Sequence, residues 1–150
     1  MISTPTSGAW VGKDHLFPIR VYYEDTDFSG FVYHASYVRF FERGRSEALR
    51  LAGITHKDLL GAEPPAALVV RRMEIDYRLP LVIDDAILVR STMLTARGAR
   101  MTLRQQIERG GELCAEAALE IAMVSLTGRP MKLSSGLLTK LEPLLPVIAP

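Results

Sequence analysis

The feature that most restricts the fold is an amphipathic stretch from about Ala35 to Ala52, followed almost entirely by short alternating segments. Tyr37, Phe40, Phe41, Gly44, Ala48, Leu51 and Ala52 recur at the i, i+3, i+4, i+7 spacing of one buried helix face. Ser36 is placed to cap its start, and Gly53 stands where a helix-ending glycine belongs. A glycine inside a helix costs ~1 kcal/mol against alanine. Gly44, in the apolar face, therefore predicts a close approach of helix backbone to a packed sheet. Downstream of a short helical turn and loop over 54–66, the period switches to two. Strands are expected over Ala67–Arg78, Asp85–Ala96, Arg100–Glu108 and Leu113–Leu126, with Arg97-Gly98 and Arg109-Gly110-Gly111 as turns. One more strand is expected from His15 to Tyr23. Strands gathered in one block mean α+β rather than βαβ. The expected architecture is one helix across one face of a curved antiparallel sheet.

In the strand over 67–78, Val69, Met73, Ile75 and Tyr77 take one side, while Arg72, Glu74, Asp76 and Arg78 take the other. Arg71 falls on the apolar side, which implies a buried ion pair, for example across a subunit interface.

With 150 residues the chain fits one domain. Its expected parts are a flexible arm over 1–14, a domain over 15–133 and an extension over 134–150, either flexible or strapped to a neighbouring surface. Net charge is +1, which supplies no long-range field for nucleic acid or an anionic membrane. An anionic ligand must be met by a local cluster of Arg and Lys. The single cysteine, Cys114, has no pairing partner, no secretory pattern is visible at the N-terminus, and no run nears the ~20 apolar residues of a membrane span. A cytoplasmic protein is expected.

Chemistry concentrates between Tyr22 and Glu47. Asp25 and Asp27 occupy a turn between strand and helix, and His34 lies just before the helix. A carboxylate there sits beside unpaired helix N–H groups, which can hold the charge growing on a carbonyl oxygen. The carboxylate can attack that carbonyl or take a proton from water. A thioester suits such a site. Its leaving thiolate has a parent pKa near ~8.5 and needs little acid assistance. The plain alternative is that both aspartates serve capping and turn chemistry. Three scattered histidines and one cysteine do not suggest a metal site, and no cofactor-binding motif is found.

The stretch Val21-Tyr22-Tyr23-Glu24-Asp25-Thr26-Asp27, with Gly30, Val32-Tyr33-His34-Ala35-Ser36-Tyr37 and Phe41-Glu42-Arg43, resembles the hotdog-fold acyl-CoA thioesterases. The nearest branch is the Tol–Pal-associated one, related to the 4-hydroxybenzoyl-CoA thioesterases. Val69 to Tyr77, Pro80, Asp84-Asp85 and Gly128-Arg129-Pro130 extend the resemblance over roughly 15–133. It implies a hotdog fold, a sheet wrapped around the helix, paired as a homodimer or homotetramer with sites at the subunit interface. It implies that Asp27 is catalytic and that the N–H of His34 or a neighbour polarises the carbonyl. His34 also stands where the family has an aromatic residue or histidine, and Asp25 is assigned to turn structure. Gly30 and Tyr33 would border the substrate. Arg97 and Arg129 lie near positions that meet nucleotide phosphates in relatives; Arg100 and Lys132 join them as turn or strand-end charges able to hold coenzyme A. One departure is Phe28-Ser29-Gly30, where relatives carry small residues such as Ala-Gly; a phenylalanine there reshapes the acyl pocket. Glu42 and Glu47 match a different hotdog arrangement that uses a helix glutamate, but the arginines beside them favour an ion-paired face.

The expected substrate is an acyl-CoA, short-chain or aromatic, or an acyl-ACP. Rival expectations are a hotdog hydratase or dehydratase, and a non-catalytic acyl-carrier-protein binding or scaffold protein.

Overall fold

A computed structural model describes residues 3–146. The elements run β1 (Ala9–Val11), β2 (Asp14–Arg20), α1 (His34–Leu51), α2 (His56–Leu60), β3 (Ala66–Tyr77), β4 (Ala86–Arg97), β5 (Arg100–Arg109), β6 (Glu112–Ser125) and α3 (Ser135–Leu141). The strands form one six-stranded sheet in the order β1-β2-β4-β5-β6-β3, with antiparallel neighbours throughout. The α+β architecture agrees with the sequence, and the central helix has 18 residues.

The helix lies on the sheet because their apolar periods meet. Phe40 and Phe41 of α1 pack with Ile87, Val89 and Met93 of β4 and with Met101, Leu103 and Ile107 of β5 in one buried cluster. Each fully buried side chain of this size contributes about 1.5–3 kcal/mol. Gly44 makes the expected close approach: a Cβ there would lie 2.5 Å from Val89 Cγ1. Gln105 braces the same contact, donating from Nε2 to the Phe41 carbonyl (2.8 Å) and to Ser91 Oγ (2.9 Å). Gly53, at φ +83°, ends the helix as expected.

Three expectations change. Ser36 is not the cap. Tyr33 occupies that position without a side-chain bond, and the Ser36 hydroxyl donates instead to the Asp25 carbonyl (3.2 Å). The arm over 1–14 is structured in part: β1 pairs with β2, and Trp10 Nε1 donates to the Ala48 carbonyl (3.2 Å). An indole that half-buries its ring and spends its N–H anchors a segment whose polar sequence reads as loose. Met1 and Ile2 lie outside the described residues. Arg71 is not on the apolar side. The register between β3 and β6 shifts between Val70 and Arg72. This bulge turns Arg71 outward to pair with Glu120 at 2.9 Å, half exposed.

The extension straps back onto the domain. Ser134 caps α3, and Leu137 and Leu141 are buried. Its last residues, 147–150, lie outside the described part. Among the described residues, no helix is long and apolar enough to cross a membrane.

The two ends of the sheet differ. Arg20 pairs with Ala86, so the 22–33 loop leaves at the start of β4. Arg97 and Arg100 close the other end of β4, roughly 36 Å away at ~3.3 Å per residue. Ala66 pairs with Ser125 at that far end, while the Tyr77 hydroxyl reaches the His34 carbonyl at the near one.

Candidate active site

Asp25 builds the loop. It is buried, its Oδ2 accepts from the Tyr22 N–H (2.8 Å), and its carbonyl accepts from the Tyr33 N–H (2.9 Å) as well as from Ser36. These bonds fasten the short 3₁₀ turn at Tyr23–Asp25 to the start of α1. Asp25 is therefore spent on structure, as expected.

Asp27 is carried on a tight excursion. Its N–H donates to the Phe31 carbonyl and its carbonyl accepts from the Gly30 N–H, both at 3.0 Å. Gly30 has φ +87° with open space around it, so glycine is required there by backbone conformation. The Asp27 side chain is exposed. Its Oδ1 accepts from the Ser29 hydroxyl (2.5 Å) and the Ser29 N–H (2.8 Å), leaving Oδ2 without a partner among the described residues. The Ser29 hydroxyl, then its amide, hold the Asp27 carboxyl below the usual carboxylate value; slight burial opposes this and the charge of His34 assists. The group is thus an ionised carboxylate at neutral pH.

The helix mouth lies alongside. The N–H groups of His34 and Ala35 have no carbonyl one turn back in the helix. Those of Tyr33 and Ser36 are already taken by Asp25 and Tyr33. The exposed His34 ring sits 4.6 Å, centroid to centroid, from the Tyr33 ring and 6.5 Å from that of Tyr77. An open depression lined by Tyr23, Thr26, Asp27, Phe28, Gly30 and Ile83 faces solvent. Phe28 is fully exposed at its rim, and Tyr23, Phe31, Tyr33, Val82 and Ile83 are exposed around it.

Within one chain the structure brings together Asp27, Gly30, Tyr33 and His34, but not the arginines. Arg97, Arg100 and Arg129 gather at the far end of the sheet, where Ser125 accepts around the Arg129 turn and the Leu133 N–H bonds the Gly98 carbonyl. Arg100 is paired with Glu120 (2.9 Å), whereas Arg97 and Arg129 have no ion-pair partner among the described residues. Glu47 is paired with Arg50 (3.1 Å). Cys114 is buried and its thiol is pushed up by that burial, which makes it a poor nucleophile. Among the described residues no group of three His, Cys, Asp or Glu is placed to hold a metal.

Two contributors escaped the sequence reading. Ser29 is legible in retrospect, since an Asp followed two residues later by Ser is the pattern of an Asx turn. Tyr77 is not, because it reaches His34 from 43 residues away.

A six-stranded antiparallel sheet laid on one central helix is the architecture of the hotdog thioesterases. The chain belongs to the thioesterase-like superfamily, which residues 21–145 match. It is 41% identical over 110 residues to the acyl-CoA thioesterase YbgC of Haemophilus influenzae, covering 73% of this chain and 80% of that one. It is 42% identical over 91 residues to the acyl-CoA thioester hydrolase YbgC of Escherichia coli O6:H1, covering 61% and 66%. A probable thioesterase from Bartonella henselae superposes with a TM-score of 0.78 at 42% identity, over 81% of this chain and 99% of that one.

Proposed function

We propose that the protein hydrolyses acyl-CoA thioesters, with Asp27 as the catalytic carboxylate. The observation that carries this is the ionised Asp27, with Oδ2 free, on the loop that Asp25 fastens to the helix mouth. The 41–42% identical relatives, whose names state acyl-CoA thioester hydrolysis, support the same substrate class. The N–H groups of His34 and Ala35 bind the carbonyl oxygen and stabilise the tetrahedral oxyanion. Oδ2 either attacks the carbonyl carbon, so that the thiolate leaves and water then cleaves the aspartyl anhydride, or takes the proton of an attacking water, so that the tetrahedral intermediate expels the thiolate; either route releases the free acid. The Ser29 bonds hold Oδ1 and leave Oδ2 to act in either role. Tyr33 and the His34 ring border the substrate.

The far-end arginines enter through a second copy. Strand β3 is a 12-residue edge with an open side, and Val69 and Val70 on it are exposed. Such an edge invites strand pairing. Pairing β3 with its own copy, antiparallel and centred on the strand, sets the Tyr77 end of one against the Ala66 end of the other. A two-fold axis normal to the sheet keeps both helices on one face. Asp27 of one protomer then lies at the end where the partner supplies Arg97 and Arg129 for the coenzyme A phosphates. We infer a homodimer on this basis, and coenzyme A rather than a carrier protein as the thiol. The single buried Cys114 fits a reducing, cytoplasmic setting.

Asp27→Asn tests the chemistry. Thiol release from short acyl-CoA substrates is expected to fall about 10²–10⁴-fold with an unchanged circular dichroism spectrum. A near-normal rate rejects the assignment. Crotonyl-CoA should yield free thiol and no hydrated product; hydration instead would favour a hydratase.

A further inference from the structure

A cavity of about 100 Å³ lies between α1 and the sheet, floored by apolar side chains including Leu68 and Val70 of β3, Met93 and Met101. It is far from the Asp27 of its own chain: Arg45 on its wall is 11 residues along α1 from His34, ~16 Å at ~1.5 Å per residue. Arg45 is the unusual member of that wall. Among the described residues its buried Nη1 has no hydrogen-bond partner and no carboxylate pairs with its guanidinium. The other polar groups on the rim are occupied with each other: Ser46 Oγ contacts His56 Nε2 at 3.1 Å and donates to Glu42 Oε1 at 3.4 Å. Glu42 is the opposing charge that acts on it, and it is exposed and screened.

Arginine stays ionised, and a buried donor left without an acceptor is costly and rare in native proteins. An acceptor supplied by a ligand removes that cost, most strongly if it is an anion. The edge pairing sets the partner's Asp27 at the Leu68 end of β3, so an acyl group held at the partner's helix mouth extends toward this cavity. Its size is below the ~150 Å³ of an apolar cavity that accepts benzene, so the chain it takes is short.

We propose that this cavity receives the acyl chain and that Arg45 Nη1 binds a carboxylate at the chain's far end, making the preferred substrates thioesters of short dicarboxylic acids. The proposal rests on the thioesterase reading and on the β3 pairing. It assigns Arg45 as a specificity residue outside the reacting centre.

The test compares glutaryl-CoA with pentanoyl-CoA, equal in chain length and different in the terminal carboxylate. Calorimetric titration of Asp27→Asn should show glutaryl-CoA binding about 10–100-fold tighter, and wild-type kcat/KM should show the same preference. Arg45→Met should bring the ratio to about one while pentanoyl-CoA binding holds or improves; Arg45→Lys should keep part of the preference. Equal or tighter binding of pentanoyl-CoA overturns the proposal, as does failure to bind glutaryl-CoA, or an Arg45→Met variant that weakens both ligands alike. The ratio in unaltered Arg45 protein decides the matter if that variant does not fold. A glutaryl preference without thiol release overturns hydrolysis and leaves the pocket standing; turnover without preference does the reverse.

Discussion

Gly44→Ala is the perturbation whose size the structure sets most directly. In an open helix this change stabilises by ~1 kcal/mol. Here the new Cβ would stand 2.5 Å from Val89 Cγ1 and 3.1 Å from Val89 Cβ. A β-branched side chain on a strand cannot swing aside, so the helix must lift from β4. Overpacking of this kind costs about 1–3 kcal/mol. The clash at 2.5 Å places it at the upper part of that range, and subtracting the helix gain leaves a net loss of about 1–2 kcal/mol. For a chain of this size that is a fall in Tm of about 2–8 °C, measured by thermal melting alongside urea titration. The lift also moves the His34 and Ala35 N–H groups, and small misplacements of a reacting group are costly in rate, so kcat should fall more than KM rises. Val89→Ala in the Gly44→Ala background removes the clash, and because the helix gain cancels in the cycle the favourable coupling should be the full overpacking cost, about 2–3 kcal/mol. A Gly44→Ala protein as stable as wild type, or a cycle with no coupling, would falsify the packing account.

Three further outcomes follow from the site and its surroundings. Ser29→Ala removes the hydroxyl that contributes most to the lowered Asp27 pKa, so the acid limb of the kcat/KM profile should move to higher pH; the Ser29 amide keeps the shift incomplete, and an unmoved limb contradicts the role of Ser29. Mixing Asp27→Asn and Arg129→Glu proteins, each inactive alone, should restore up to about a quarter of wild-type sites, because half of random pairs are mixed and each has one intact site; no recovery after subunit exchange means the arginine acts within its own chain. His15 is buried, with Nε2 2.7 Å from the Ser7 carbonyl, and burial lowers its pKa below 6.5. The unfolded chain then binds the proton more readily, so stability is full above about pH 6.5 and declines as pH falls toward the lowered folded value. His15→Gln should flatten that decline in urea titrations, and an unchanged slope assigns the acid loss elsewhere.

Much of this molecule was legible residue by residue. The amphipathic period over 35–52, the strand alternations and the Arg109-Gly110-Gly111 turn are short-range signals, and the observed boundaries fall within a few residues of them. The exceptions among the strands are β1, whose segment reads as loose arm, and β2, which stops at Arg20 where alternation continued to Tyr23, because the Asp25 carboxylate holds the Tyr22 N–H at the entry of the Tyr23–Asp25 3₁₀ turn. Gly44 was legible too, since a mid-helix glycine has a local cost that only packing explains. The Asp27 region could be located from its motif, as motif residues are neighbours along the chain.

What needed the tertiary structure was everything decided by residues distant in sequence. No local pattern shows that Ser36 turns from capping to Asp25, that a bulge at Arg71 re-aims it to Glu120, or that Trp10 ties the N-terminal segment to Ala48. Nor does composition reveal that the phosphate-binding candidates Arg97 and Arg129 lie at the opposite end of the sheet from Asp27. Periodicity and turn chemistry act over a few residues and are written in the sequence. Register, bulges and the partners of buried polar groups are settled by which strand lies beside which, and that is a property of the assembled sheet.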